Sequence, residues 1–97
     1  MKIRHTVVFK LKDHMTSVEK ENFFLELQKL TSISGVQNFE CLNQISKKNN
    51  FEFGISMEFM SSEVYEQYNN HPSHVHFVQK FWLQDVEDFL ELDYQLT

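Results

Sequence analysis

Two stretches of alternation constrain this chain more than anything else in it. Ile3, His5, Val7, Phe9 and Leu11 alternate with Lys2, Arg4, Thr6, Val8 and Lys10. Phe51, Phe53, Ile55, Met57 and Phe59 alternate with Glu52, Gly54, Ser56 and Glu58. Side chains of a strand change face at every residue, so a period of two marks a strand with one face turned to a core. His5 shares a face with the apolar residues of the first strand. A histidine there needs a partner or a task, because burying an unpaired polar group costs free energy.

The segments between have helical signatures. Thr16 followed by Glu19 fits a capping box, and Phe23, Leu27 and Leu30 recur at helical spacing, with Phe24 widening the stripe. That stripe reads as core, and the helix is expected to end near Ser32–Gly35, where Gly35 can take a left-handed conformation. Val36–Ile45 reads as a second strand and Ser46–Asn50 as a polar hairpin turn. Ser61 or Ser62 caps a short helix carrying Val64, Tyr65 and Tyr68. The chain turns at Asn69–Asn70–His71, and Pro72 suits the first turn of a new helix, where its missing N–H is not needed. Val75, Val78 and Trp82 form one stripe of that helix, with Phe77 and Phe81 beside it, and Val86–Tyr94 reads as a last strand. The order βαββαβ predicts an α+β, ferredoxin-like fold: a four-stranded antiparallel sheet with helices on one face. Arg4, Thr6, Val8, Lys10, Glu52, Ser56 and Glu58 fall on the other face. Two such faces can pack together, with Arg4 or Lys10 opposite Glu52 or Glu58; a hydrated face is the alternative.

At 97 residues the chain has room for one domain, residues 1–97. A net charge of −5 and no basic patch argue against a nucleic-acid partner. No apolar run approaches the roughly 20 residues of a membrane span, and MKIRHTVVFKLK has no continuous apolar core of a signal peptide. The single Cys41 excludes an intramolecular disulfide and fits a reducing compartment, so a cytoplasmic location is expected. As a lone cysteine in a strand it is expected to be a small packed residue rather than a nucleophile.

The densest chemistry lies in YNNHPSHVH, Tyr68 to His76, which places a phenol and three imidazoles within nine residues. Histidine titrates near neutral pH, so the cluster suits proton transfer or metal binding. A polar, capped helix start is the bland alternative. For a metal, His71 and His74 can share a helix face but His76 cannot join them. No Cys or carboxylate completes a closed site, so no metal is expected. Two glycines cannot form a phosphate loop, and no cofactor is expected. Glu87, Asp88, Glu91 and Asp93 look like a solvated acidic strand end, with Asp93 a candidate to orient an imidazole.

The stretches IRHTVVFKLKD, GVQNF and FGISMEFMSSEVYEQYNNHPSHVHFV and the closing DY resemble the stress-responsive dimeric α/β-barrel (Dabb) family over nearly the whole chain. The most specific parts are a first-strand histidine, here His5, and the HPxH element, here His71-Pro72-Ser73-His74. The resemblance implies a ferredoxin-like protomer whose sheet packs on a second copy to give a dimeric α/β barrel. The family includes a plant cyclase that closes a linear polyketide by aldol condensation. Carried over, the acid–base histidine is His74, a tyrosine six residues before it is Tyr68, and the first-strand histidine is His5. Phe53 stands where the cyclase has another pocket histidine, which argues for a different substrate. The candidate catalytic residues are therefore His5, Tyr68, His74 and Asp93. They would converge on one cavity holding a small apolar carbonyl or polyketide-like ligand. A non-catalytic small-molecule binder and a structural stress-response dimer stay open as alternatives.

Overall fold

The computed structural model describes residues 1–96. Strand β1 (Ile3–Leu11) is followed by helix α1 (Ser17–Gln28), a 3-10 turn at Lys29–Ser32, and the hairpin of β2 (Gln37–Asn43) and β3 (Phe53–Phe59). Helices α2 (Ser62–Asn70) and α3 (Pro72–Phe77) come next, then a wide π turn (Val78–Trp82), one last helical turn and β4 (Val86–Gln95). The sheet order is β2-β3-β1-β4 with every neighbouring pair antiparallel, which is the ferredoxin-like arrangement. β1 lies between β3 and β4, so its inward side chains sit at the centre of the molecule.

Local chemistry accounts for the element starts. Thr16 Oγ1 accepts from the Glu19 N–H, and a Glu19 carboxylate oxygen accepts from the Thr16 N–H, the reciprocal pair of a capping box. Ser61, not Ser62, caps α2 by accepting from the Val64 N–H. His71 caps α3 through its own ring, with Nδ1 accepting from the Ser73 N–H, and Pro72 occupies the first helical position. Gly35 has φ of +95°, and a Cβ there would lie 2.4 Å from Val64 Cγ1, so only glycine fits between α1 and α2.

The core is built on rings. Phe9, fully buried on β1, lies with its centroid 5.0–6.3 Å from those of Phe23, Phe24, Phe53 and Trp82. Phe23 and Leu27 supply the buried stripe of α1. The helix after Pro72 buries only part of the expected stripe. Trp82 is buried as expected, but Val75 is 39% exposed and Phe77, expected beside the stripe, is buried. The π turn is the reason. Residues five apart lie about 140° apart on an α-helix, but the Leu83 N–H bonds Val78 O across five residues. The wider turn swings Phe77 and Trp82 toward one face, with ring centroids 6.4 Å apart.

The strand bounds are also shorter in places. β2 covers Gln37–Asn43 and β3 begins at Phe53, although the Glu52 N–H still donates to Phe9 O. On the helix-free face, Arg4 is engaged within its own chain, facing Glu58 in register and reaching it at 2.8 Å. Lys2 and Asn38 complete the cage, and the Arg4 guanidinium first, then Asn38, pulls the Glu58 carboxyl down to about 2. Lys10 pairs with Glu87. Arg4 and Lys10 thus have partners inside one copy, Glu58 and Glu87, because antiparallel register sets Arg4 beside Glu58.

Candidate functional site

β1 presents His5 to the helices, and register sets Asp93 of β4 directly opposite. His5 Nδ1 lies 2.6 Å from Asp93 Oδ1. A carboxylate oxygen only accepts, so Nδ1 carries the proton. Tyr65 of α2 closes the group from above: its hydroxyl donates to Asp93 Oδ2 at 2.8 Å and lies 2.9 Å from His5 Nδ1. Burial first, then Asp93, raises the Tyr65 phenol well above its ordinary value, so it stays a donor. With Nδ1–H committed to Asp93, a neutral His5 keeps a lone pair on Nε2.

One turn after Tyr65, Tyr68 is buried against Phe59 and His5, with centroids 5.0 and 6.4 Å away. Burial raises its phenol strongly, with Glu91 adding to the effect. His74, carried across the Pro72 turn, stacks obliquely on Tyr68 at 4.5 Å. Its Nδ1 lies 3.0 Å from the Asn69 carbonyl oxygen, which accepts, so Nε2 is again the free nitrogen. Burial lowers the His74 pKa below the ordinary 6.5, keeping the ring neutral at pH 7.

His5, Tyr68 and His74 line one cavity of about 240 Å³ between sheet and helices. Leu27, Leu30, Phe77, Trp82 and Phe89 supply apolar wall, and Glu91 contributes a carboxylate. The volume is under the roughly 300–1,000 Å³ of drug-sized sites, so it suits a compact ligand. Among the described residues no buried side-chain nitrogen or oxygen lacks a partner. The Tyr68 hydroxyl and the two Nε2 atoms, which have no protein partner there, are therefore open to this cavity. A wider surface groove of about 560 Å³ runs between the end of α1 and α3, but Glu26 and Lys29 on its edge pair with each other. It gathers none of these groups.

Of the sequence candidates, His5 and Asp93 are bonded, and Tyr68 links the His5 side of the cavity to His74. Asp93 stands behind His5 rather than in the cavity lining. The other histidines of the cluster do separate jobs: His71 caps α3, and His76 is exposed against Phe81. Cys41 is exposed on the edge strand β2, not packed, and partial burial pushes its thiol up, so it is not an activated nucleophile. Sequence reasoning missed two residues. Tyr65 shows only as a helical neighbour of Tyr68, three residues away. Glu91 looked like part of a solvated acidic end, but the register Val7↔Glu91 puts it on the inner face with Asp93.

A small antiparallel sheet under helices α1, α2 and α3, with a histidine on its first strand facing an HPxH helix start, defines an A/B-barrel protomer. The chain belongs to the Stress responsive A/B Barrel Domain (Dabb) family, which it matches over residues 3–96. It is 31% identical to olivetolic acid cyclase of Cannabis sativa over 101 residues, covering 97% of this chain and 96% of that protein. It superposes on a Dabb family protein with a ferredoxin-like fold from Mesorhizobium loti with a TM-score of 0.94 at 48% identity, covering 99% of this chain and 97% of that one. The fold is shared with the hydroxynitrile lyase of Passiflora edulis, with a TM-score of 0.89 at 15% identity and coverage of 99% and 94%. It is shared too with a dimeric ferredoxin-like protein from Thermobifida fusca, with a TM-score of 0.84 at 21% identity and coverage of 99% and 92%. No helix among the described residues is long and apolar enough to cross a membrane.

Proposed function

We propose that this protein is a homodimer that binds a compact apolar carbonyl compound and catalyses proton transfer on it without a cofactor. The observation that carries the reading is the convergence of three unpartnered polar groups, the Tyr68 hydroxyl and the Nε2 atoms of His74 and His5, on one apolar cavity. Neutral His74 removes a proton alpha to the carbonyl. The C–H electron pair becomes the new C=C bond, the carbonyl π pair moves onto oxygen, and the Tyr68 O–H stabilises the enolate. The enolate then recovers that proton from His74, or its carbon attacks a second carbonyl in an aldol closure, where the second π pair moves onto oxygen and the new alkoxide takes the proton back from the His74 imidazolium. His5, its tautomer held by Asp93 and Tyr65, orients the ligand from the sheet side. Olivetolic acid cyclase, as a relative whose name denotes ring closure, is consistent with carbonyl chemistry on this scaffold.

The test is solvent deuterium uptake. A small ketone such as 2-indanone, in D2O with the protein, is expected to shift the His5 and His74 ring resonances and to lose α-protons faster than with equimolar free imidazole. Binding without accelerated exchange overturns the catalytic part. Absence of both overturns the site.

The dimer rests on the helix-free face. Once Arg4, Lys2 and Lys10 are neutralised within the chain, that face presents Leu42, Leu90, Leu92 and Tyr94, each 43–51% exposed, around Val8 and Gly54. Isologous packing of two such faces is expected to bury about 1,200–2,000 Å². Light scattering at micromolar concentration is expected to give a dimer mass, and a Leu90→Lys variant a monomer mass. A monomeric natural chain would disprove the assembly.

A further inference from the structure

We propose that Glu91 sets the charge selectivity of this cavity: its ligand is a compact apolar carbonyl compound bearing a protonated amine, and carboxylates are turned away. The inference rests on the carbonyl-site reading above and narrows its substrate class.

Glu91 is the carboxylate in the cavity lining, and no lysine or arginine lines it. Among the described residues Glu91 makes no salt bridge, and four of the chain's cations are paired with other carboxylates. Lys2 and Arg4 lie on Glu58, across the sheet; Lys10 is bound to Glu87 and Lys29 to Glu26. Of the two cavity histidines, His74 is kept neutral by burial, and His5 is hydrogen-bonded to the Asp93 carboxylate, which balances any charge that ring takes up. The field of Glu91 raises the phenol of Tyr68 in the cavity and that of Tyr65 outside its lining, and it works against the loss of a proton from His74. A ligand carboxylate would lose water here with no cation to meet it. An ammonium meets Glu91 and, beside it, the rings of Trp82 and Phe89, which lie 5.5 Å apart edge to face and offer cation–π contact.

Glu91 is solvent-exposed, so it acts at the rim of the cavity, through partly screened attraction rather than a buried ion pair. That position suits selection at the mouth: the carbonyl end goes in toward Tyr68 and His74, and the amine stays at the rim. Among the described residues Glu91 makes no hydrogen bond to the proton-transfer groups and acts on them only through its field, so selectivity is read from affinity rather than from turnover.

The experiment uses three ketones that differ only in one substituent: 4-acetylbenzylammonium, 4-acetylbenzyl alcohol and 4-acetylbenzoate. Each is titrated into the full-length protein at low salt, following the Trp82 indole resonance. The ammonium is expected to bind roughly tenfold more tightly than the benzoate, with the alcohol between them. Glu91→Gln, isosteric and on an exposed position, is expected to bring the ratio near one, as is salt at about 0.5 M. Glu91→Lys is expected to invert it. Asp88→Asn removes one charge from the same strand on the opposite face and is expected to leave the ratio unchanged, which separates Glu91 from the overall charge of −5. Equal binding of ammonium and benzoate, or a ratio unaltered in Glu91→Gln, overturns charge selection while the carbonyl site stands. Failure of the neutral alcohol to bind overturns the carbonyl site, and this inference with it.

Discussion

Phe9→Ala is expected to destabilise the protein by about 3–5 kcal/mol, the range for truncating a fully buried phenylalanine. The ring is 0% exposed and touches the rings of α1, β3 and the π turn at once, so no single neighbour can move in to fill the gap. Small domains are typically stable by only about 5–15 kcal/mol, so this is a large share of the total. For a chain of this size the melting temperature is expected to fall by roughly 12 °C or more. Urea unfolding at fixed protein concentration checks it, since dimer formation would couple stability to concentration. A loss below about 1 kcal/mol with an unchanged m-value would show that the ring cluster is not the structural centre we describe.

The second large effect concerns His74. Once a ketone shows protein-dependent exchange, His74→Gln is expected to slow it by about 10²–10⁴-fold, the usual contribution of a positioned general base. Glutamine can keep a hydrogen bond to the Asn69 carbonyl, so the helix start is retained and the loss reports on the base. Tyr68→Phe is expected to lower the same rate while leaving binding of the apolar body in place. The pH dependence follows from the His74 shift. Its folded pKa lies below the ordinary 6.5, so the neutral, active form persists as pH falls through 6.5 and is lost only at the lower value. Between those two points the unfolded chain binds more protons than the folded one, so His74 contributes stability above 6.5 that fades as pH falls. A rate profile whose acid limb lies above 6.5 contradicts the role of burial at His74.

The fold was legible in this sequence because its elements repeat short-range signals that do not depend on distant contacts. β1 and β3 alternate without interruption, and His5 falls on the core face by parity alone. Thr16–Glu19 and Pro72 mark helix starts through hydrogen bonds made within four residues. The last strand differs. Val86, Leu90, Leu92 and Tyr94 share the more apolar parity and Glu87, Glu91 and Asp93 the acidic one, so parity alone would turn those carboxylates away from the core. Only pairing with β1 sets Asp93 opposite His5 and Glu91 opposite Val7. A shift of one residue would have turned both carboxylates to the other face. The same holds for the helix after Pro72, where an i, i+3, i+7 stripe assumes regular α geometry. Packing against Phe9 and Phe23 instead accompanies a π turn that buries Phe77 and Trp82.

The site divides along the same line. His5, Tyr68 and the HPxH element can be picked out from residue types and spacing, since a helix start and a strand parity already aim them at one region. Their chemistry is decided by groups far away in the chain. Asp93 and Tyr65 set which nitrogen of His5 carries its proton, across separations of 88 and 60 residues. Burial beneath α2 and α3 sets the charge state of His74, and Glu91 sets the sign of the cavity rim. Local periodicity carries the backbone because helices and strands close their hydrogen bonds by rule. Protonation and selectivity depend on which side chains meet through space, and in this protein those meetings are made by the register of β4 and the packing of α2 over the sheet.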